Sequence, residues 1–129
     1  MARLIITFVL IIGLVSLAVT EQIFIKRTYD TLDKDLDSLS ANVYASETIS
    51  TTDNIDKINS MYNGWLKKEK KLCLVARHSE LSQISDSLIY IKNFVYFNNK
   101  EEACVGIEKL KYLIATHSHN IGTSIQNVI

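Results

Sequence analysis

The most informative stretch of the chain for its fold is residues 4–43, with the sequence LIITFVLIIGLVSLAVTEQIFIKRTYDTLDKDLDSLSANV. The first sixteen of them, Leu4 to Val19, contain no charged residue and are almost all large and apolar. Counting on to Ile25 gives the roughly 20 residues that a helix needs to cross about 30 Å of hydrocarbon. This segment predicts a transmembrane anchor over residues 1–25.

The second part of the stretch carries an apolar stripe. Its members recur at intervals of four and three residues, which is typical of a helix that buries one narrow seam. No helix-breaking residue separates this stripe from the anchor, so we expect one continuous helix with an amphipathic stalk over residues 26–49. The seam either meets a second copy of the chain or folds back onto the head. The seam consists of Ile25, Tyr29, Leu32, Leu36, Leu39 and Val43.

A cleaved signal peptide is the alternative interpretation of the N-terminal segment. Arg3 would supply its basic region, Leu4–Val15 its apolar region, and residues 16–18 the small side chains that signal peptidase requires. Cleavage there would release a secreted helical protein that begins at Val19. The continuous helical pattern favours an uncleaved anchor.

The charges that flank the anchor oppose one another. Arg3 places the N-terminus on the cytoplasmic side, whereas Lys26 and Arg27 argue for the reverse orientation under the positive-inside rule. A short N-terminus followed by a larger C-terminal domain favours an extracytoplasmic domain. We therefore expect a single-pass protein of the cell membrane with its N-terminus in the cytoplasm.

The rest of the chain predicts helices. It contains no proline and the whole chain only four glycines, which leaves too few turn residues for a β-sandwich or barrel. A polar break at residues 46–52 precedes three apolar helical stripes, over about 53–78, 81–97 and 100–117. Short connections between them predict an antiparallel three-helix bundle over residues 50–119. The fold class is therefore all-α: a transmembrane helix, an amphipathic stalk, a small bundle and a flexible tail over residues 120–129.

The expected core of this head follows from the same spacing. Ser50 with Asp53 has the spacing of a capping box, and Thr52 is an alternative N-cap for the first head helix. The turn at residues 98–100 joins the second and third helices and caps the third. The seams are Ile55, Ile58, Tyr62, Trp65, Glu69, Leu72 and Ala76, then Leu81, Ile84, Leu88, Ile91 and Phe94 or Val95, then Ala103, Ile107, Leu110, Leu113 and Ile114.

The net charge of zero is a cancellation between segments. Residues 30–56 carry one basic and seven acidic side chains, whereas residues 57–77 carry six basic and one acidic. The densest basic run is Lys67, Lys68, Lys70 and Lys71, whose ordinary role is a solvated helical face. Its functional alternatives are contact with anionic lipid headgroups or pairing with the acidic stalk. The run is too short, and its compartment unsuited, for nucleic acid. Glu69 within it is expected at the edge of the seam.

Two cysteines and three histidines are the remaining reactive residues. The predicted bundle sets Cys73 and Cys104 about 12 Å apart along its axis, too far for a disulfide, so we expect two free and mostly buried thiols. His78, Glu80, His117 and His119 share one pole, where they are low-priority candidates for a metal site. Histidines that interact with helix C-termini are the simpler interpretation. No catalytic motif is present, so we expect neither an enzyme nor a cofactor or small-molecule substrate.

These features resemble a known family. The segment Trp65–Leu72, followed by His78-Ser79-Glu80 and by Ala103–Ile114 with His117, is similar to a family of small single-pass proteins of spore-forming Gram-positive bacteria with no known function. The resemblance covers residues 3–119. It implies an uncleaved anchor and a helical head, and it implies no activity.

Three functional hypotheses follow. The first is an anchored extracytoplasmic module that contacts the lipid bilayer and a protein partner, or a second copy of itself through the stalk seam. The second is a metal-dependent sensor or enzyme at the histidine pole. The third is the secreted helical protein.

Overall fold

The chain folds into four helices. A computed structural model describes residues 1–73 and 77–128, of which 119–128 are described by their backbone alone. Within these residues the helices are α1 (Ala2–Ala45), α2 (Thr52–Leu72), α3 (His78–Tyr96) and α4 (Lys100–Val128), with no strand. The all-α fold predicted from the sequence is confirmed.

Helix α1 has an exposed apolar part and a part that packs in the bundle. It is unbroken over 44 residues, a length of about 66 Å at 1.5 Å per residue. Its N-terminal part includes an 18-residue window with a mean hydropathy of 2.5 that is entirely uncovered by the rest of the chain. It is long and apolar enough to cross a membrane, as a transmembrane anchor or a signal sequence would be.

The C-terminal half of α1 is one wall of the bundle. It packs between α2 and α4, and α3 packs against α2 and α4 on the opposite side, so the four helices run up, down, up and down. All six residues of the stalk seam are buried at 5% exposure or less within the single chain. Of the two possibilities for the seam, the structure shows the second, in which it folds back onto the head.

The core matches the predicted stripes closely but not completely. In α3 the buried residues are the predicted ones, with Val95 taking the last position and Phe94 only partly buried. In α2, Met61 is buried, while Ile55 and Tyr62 only pack against the core from its edge. The large Tyr62 ring instead lies under the Lys92 ammonium group, 5.3 Å from the ring centroid. In α4, Leu113 is half-buried, and Ala76 of the predicted α2 seam lies outside the described residues.

The bounds of α2, α3 and α4 differ from the prediction. Helix α2 is capped by Thr51, whose side chain accepts a hydrogen bond from the Asn54 backbone N–H at 3.2 Å, so neither Ser50 nor Thr52 is the N-cap. It ends at Leu72 rather than His78, which begins α3. Nothing in the apolar spacing marks this boundary, because the stripe continues through residue 76.

Helix α4 is longer than predicted. Its backbone remains helical to Val128, well past the expected end at His117. The predicted flexible tail falls on residues 120–129, whose side chains lie outside the described residues.

We call the end of the bundle farthest from the apolar segment the distal end. Two polar side chains there link the α1–α2 connection to the α3–α4 connection. Asn98 adopts a left-handed φ of 56°, a conformation that asparagine tolerates better than most residues. Its side-chain oxygen accepts hydrogen bonds from the Ile49 and Ser50 backbone N–H groups at 2.7 and 3.3 Å. Lys100 donates to the Tyr44 and Ser46 carbonyl oxygens, which satisfies the C-terminus of α1. The α1–α2 and α3–α4 connections are therefore held together.

Helices α3 and α4 approach most closely at Gly106. A methyl group added there would lie 2.8 Å from the Tyr90 ring and 2.9 Å from the Ile91 side chain, so only glycine fits without movement. Gly64 in α2 differs, because a methyl group there would meet no atom within 4 Å.

These two glycines predict opposite effects of the same substitution. Gly106→Ala should lower the free energy of unfolding by about 1–3 kcal/mol through overpacking. Gly64→Ala should raise it by about 0.5–1 kcal/mol, because alanine loses less conformational entropy in a helix. Urea unfolding of the full chain in mild detergent, followed by the single tryptophan, measures both. Equal effects of the two substitutions would contradict the close approach at Gly106.

Candidate functional site at the basal end

The candidate functional residues gather at the end of the bundle from which residues 2–24 project, which we call the basal end. Helix α2 ends there, α3 begins there, and α4 passes it on the way to Val128. The antiparallel topology therefore brings Tyr29, Trp65, Glu80 and His117 together from four different helices. None of these residues is close to another in sequence.

His117 is the most unusual of them. It is 6% exposed, and both of its ring nitrogens are buried without a hydrogen-bond partner. The Glu80 carboxylate lies 3.7 Å from its Nδ1 atom and is half-exposed. A protonated imidazole would therefore have an ion-pair partner at this position.

Two aromatic rings form the wall beside His117. The Tyr29 ring lies 6.2 Å from the imidazole and stacks on Trp65 at 6.4 Å between centroids. The Trp65 indole N–H donates to the Ser85 hydroxyl at 2.8 Å, and that hydroxyl donates to the Leu81 carbonyl at 3.2 Å. The apolar stripe predicted Tyr29 and Trp65 as core residues, but nothing in it indicates that Ser85 satisfies the indole.

The environment of Tyr29 favours its neutral form. Burial, and secondarily the negative charge of Glu80, raises the pKa of the Tyr29 phenol to about 12. This phenol lies outside the apolar segment, one helical turn beyond Ile25.

The structure brings together two of the predicted metal residues. Glu80 and His117 are neighbours, whereas His78 lies at the start of α3 with its Nδ1 atom 3.9 Å from the Cys73 sulfur. The side chain of His119 lies outside the described residues. Among the side chains that the structure describes, no group of three or more His, Cys, Asp or Glu residues is placed to hold a metal ion.

The two cysteines are free, as predicted, but their burial differs from the prediction. Cys73 is exposed at the end of α2, and Cys104 is half-buried against the core. Cys73 directly follows the buried Leu72 and is not a position of the predicted α2 seam, so its side chain lies on another face of the helix.

The lysine run faces outward at the basal end. Lys67, Lys70 and Lys71 are exposed, and Lys68 is half-buried at a cavity of about 60 Å³ between α1 and α2. Glu69 is half-exposed, at the edge of the seam as expected. The stalk acid that forms an ion pair is Asp37, and its partner is Lys111 of α4. Among the described residues, no ion pair joins the stalk acids to the lysine run, so the alternative in which the two segments pair is not observed.

A pH titration tests the burial of Tyr29. In the unfolded chain its phenol has the ordinary pKa of 10.0, whereas in the fold it ionises near 12. The unfolded chain therefore binds fewer protons above pH 10, so the free energy of unfolding should fall between about pH 10 and 12. This difference between the two pKa values corresponds to about 2–3 kcal/mol of unfolding free energy.

The comparison uses Tyr29→Phe, which removes the phenol and keeps the ring. At pH 8 the two proteins should be similarly stable, and toward pH 12 the variant should gain about 2–3 kcal/mol over the wild type. Tyr96→Phe removes the hydroxyl of a residue that is 64% exposed at the distal end, and it serves as the control. Parallel curves for wild type and Tyr29→Phe would contradict a buried phenol.

Comparison with known protein families matches residues 19–128 to DUF4363, a domain of unknown function. The matched region includes the stalk part of α1 as well as α2, α3 and α4, so the stalk is part of the domain. Neither the curated proteins nor the solved structures contain a significant match to the chain. Because the family match covers most of its length, the chain belongs to the DUF4363 family.

Proposed function

We propose that this protein is a single-pass, membrane-anchored helical module that acts through contact with another protein. Its anchor is uncleaved, its N-terminus is cytoplasmic and its domain is extracytoplasmic. The observation that carries the proposal is the continuity of α1, whose exposed apolar half and buried seam belong to one unbroken helix.

This continuity has a mechanical consequence. A flexible linker would let the domain tumble relative to its anchor, whereas a shared helix holds it at a fixed orientation and height. Such an arrangement suits a protein that presents a defined surface to a partner in or beside the membrane. The single-pass character implied by the family resemblance is part of the same proposal.

Contact with a partner has to use the outer surface of the bundle. The seam residues Tyr29, Leu32, Leu36, Leu39 and Val43 are occupied by the chain's own helices, so a second copy cannot reach them without unfolding the bundle. Outside the apolar segment, large rings are exposed on α1, α3 and α4 and at the C-cap of α3. They are Tyr44, Tyr96, Phe97 and Tyr112. Aromatic side chains are enriched at protein interfaces, which supports a contact through these rings.

Labelling of Cys73 tests the anchor and the orientation. A membrane-impermeant maleimide added to intact cells should label this exposed thiol, and the labelled chain should sediment with membranes and retain its first residues by mass. Cys73→Ser should abolish the labelling, and Cys104→Ser should leave it. Labelling only after cell lysis would indicate the opposite orientation, with the domain in the cytoplasm. A soluble product that begins at Val19 would support the secreted protein instead.

Photo-crosslinking tests the contact with a protein. A photoreactive residue at Phe97 or Tyr112, each 73% exposed, should give an adduct heavier than the 14.6 kDa chain in native membranes. An adduct of twice the mass would indicate self-association, and another mass a different partner. The exposed control position is Lys34, on the stalk. Failure to form adducts at both aromatic positions would overturn the proposed contact.

A further inference from the structure

The fold gathers positive charge at the basal end. Seven basic residues from α1, α2 and the start of α3 lie there, and we call them the basic collar. Six of them are exposed, and Lys68 is half-buried. The collar consists of Lys26, Arg27, Lys67, Lys68, Lys70, Lys71 and Arg77.

Little negative charge offsets the collar. Residues 21–29, 65–73 and 77–80, which lie at this end, contain these seven basic residues and three acidic ones, Glu21, Glu69 and Glu80. Helix α4 adds no charged side chain, because no Asp, Glu, Lys or Arg follows Lys111. Among the described residues, no collar side chain has a carboxylate oxygen within ion-pair distance.

The height of the collar above the apolar segment follows from contacts between α1 and α2. Trp65 stacks on Tyr29, and Lys68 and Thr28 line the same cavity, so residues 67–71 lie beside residues of about 24–28 in α1. The exposed apolar side chains of the N-terminal segment extend to Ile23, which is 47% exposed. At 1.5 Å per residue, the collar therefore lies about 2–8 Å above the end of that segment.

This height matches the lipid headgroups. The polar region of a bilayer adds about 5–8 Å to each side of the hydrocarbon core. Long lysine side chains extend the reach of their ammonium groups toward it. A basic cluster at this level is attracted to anionic lipid, and the attraction falls off within about a Debye length of 8–10 Å.

We propose that the basic collar is a binding surface for anionic lipid headgroups of the membrane that holds α1. This inference rests on the proposed anchoring. The lipid contact adds a second point of attachment beside the single helix and so fixes the tilt of the bundle. Lys67, Lys70 and Lys71, which are far from the anchor in sequence, reach the headgroups because α2 returns to the basal end.

Lysine reactivity in nanodiscs tests the inference on the full chain. A neutral acylating reagent should modify Lys67, Lys70 and Lys71 about threefold more slowly in discs with phosphatidylglycerol than in discs of phosphatidylcholine alone, and high salt should remove the difference. Lys34 and Lys109 are exposed but higher on the bundle, so their rates should not change. Equal rates for the collar lysines in both discs would overturn the proposal.

A matched pair of variants gives an independent measurement. The wild type purified from a lipid mixture should retain phosphatidylglycerol at a higher fraction than the mixture contains. Lys67→Gln with Lys70→Gln and Lys71→Gln should lose that excess, while Lys34→Gln with Lys109→Gln should keep it. Retention by both variants would overturn the role of the collar.

Further conditions of the acylation experiment distinguish other reasons why the collar lysines could react more slowly. Inorganic phosphate added to phosphatidylcholine discs should not slow the reaction, and protection by phosphate alone would replace the lipid surface with a phosphate site. Protection in native membranes but in neither disc would replace it with an acidic protein. A chain that fails to co-elute with the discs would refute the anchoring, whereas a chain that inserts without lipid discrimination would refute the collar alone.

Discussion

The fold is organised around helix α1, which is exposed over one half and packed into the bundle over the other. In its N-terminal half α1 offers apolar side chains on every side, and in its C-terminal half it offers them along a single seam. The seam is buried by α2 and α4, which cover it from opposite sides. Because no break lies between the halves, the position of the bundle relative to the apolar segment follows from the helix itself.

Charge placement follows from this constraint. The stalk acids lie along α1 above the basal end, where Asp37 pairs with Lys111. Lys67, Lys68, Lys70 and Lys71 of α2 lie lower, because that helix runs back toward the apolar segment, whereas Lys57 near its start contacts Ser38 at the level of the stalk acids. The zero net charge of the chain therefore hides a separation along the bundle axis, with positive charge nearest to the apolar segment.

The buried polar residues show what the packing tolerates. Trp65 has a partner for its indole N–H in Ser85, whereas His117 has none for either ring nitrogen. A buried imidazole without partners weakens the core relative to an apolar ring of similar size. The half-exposed Glu80 and the phenol of Tyr29 lie beside His117, so polar side chains from three helices meet in this part of the core.

The sequence alone predicts the helical class, the apolar segment, the stalk seam and nearly all of the buried residues of α3 and α4, because these depend on local periodicity. It does not predict the end of α2, because the apolar stripe runs past Leu72 with no stop signal. The packing of the helices against one another determines that the chain covers its own seam, that Gly106 lies against Tyr90, and that Tyr29, Glu80 and His117 meet. It also decided which lysines lie beside Lys26 and Arg27. Each of these is a contact between residues far apart in sequence, and such contacts are selected by the packing of whole helices rather than by the spacing within any one of them.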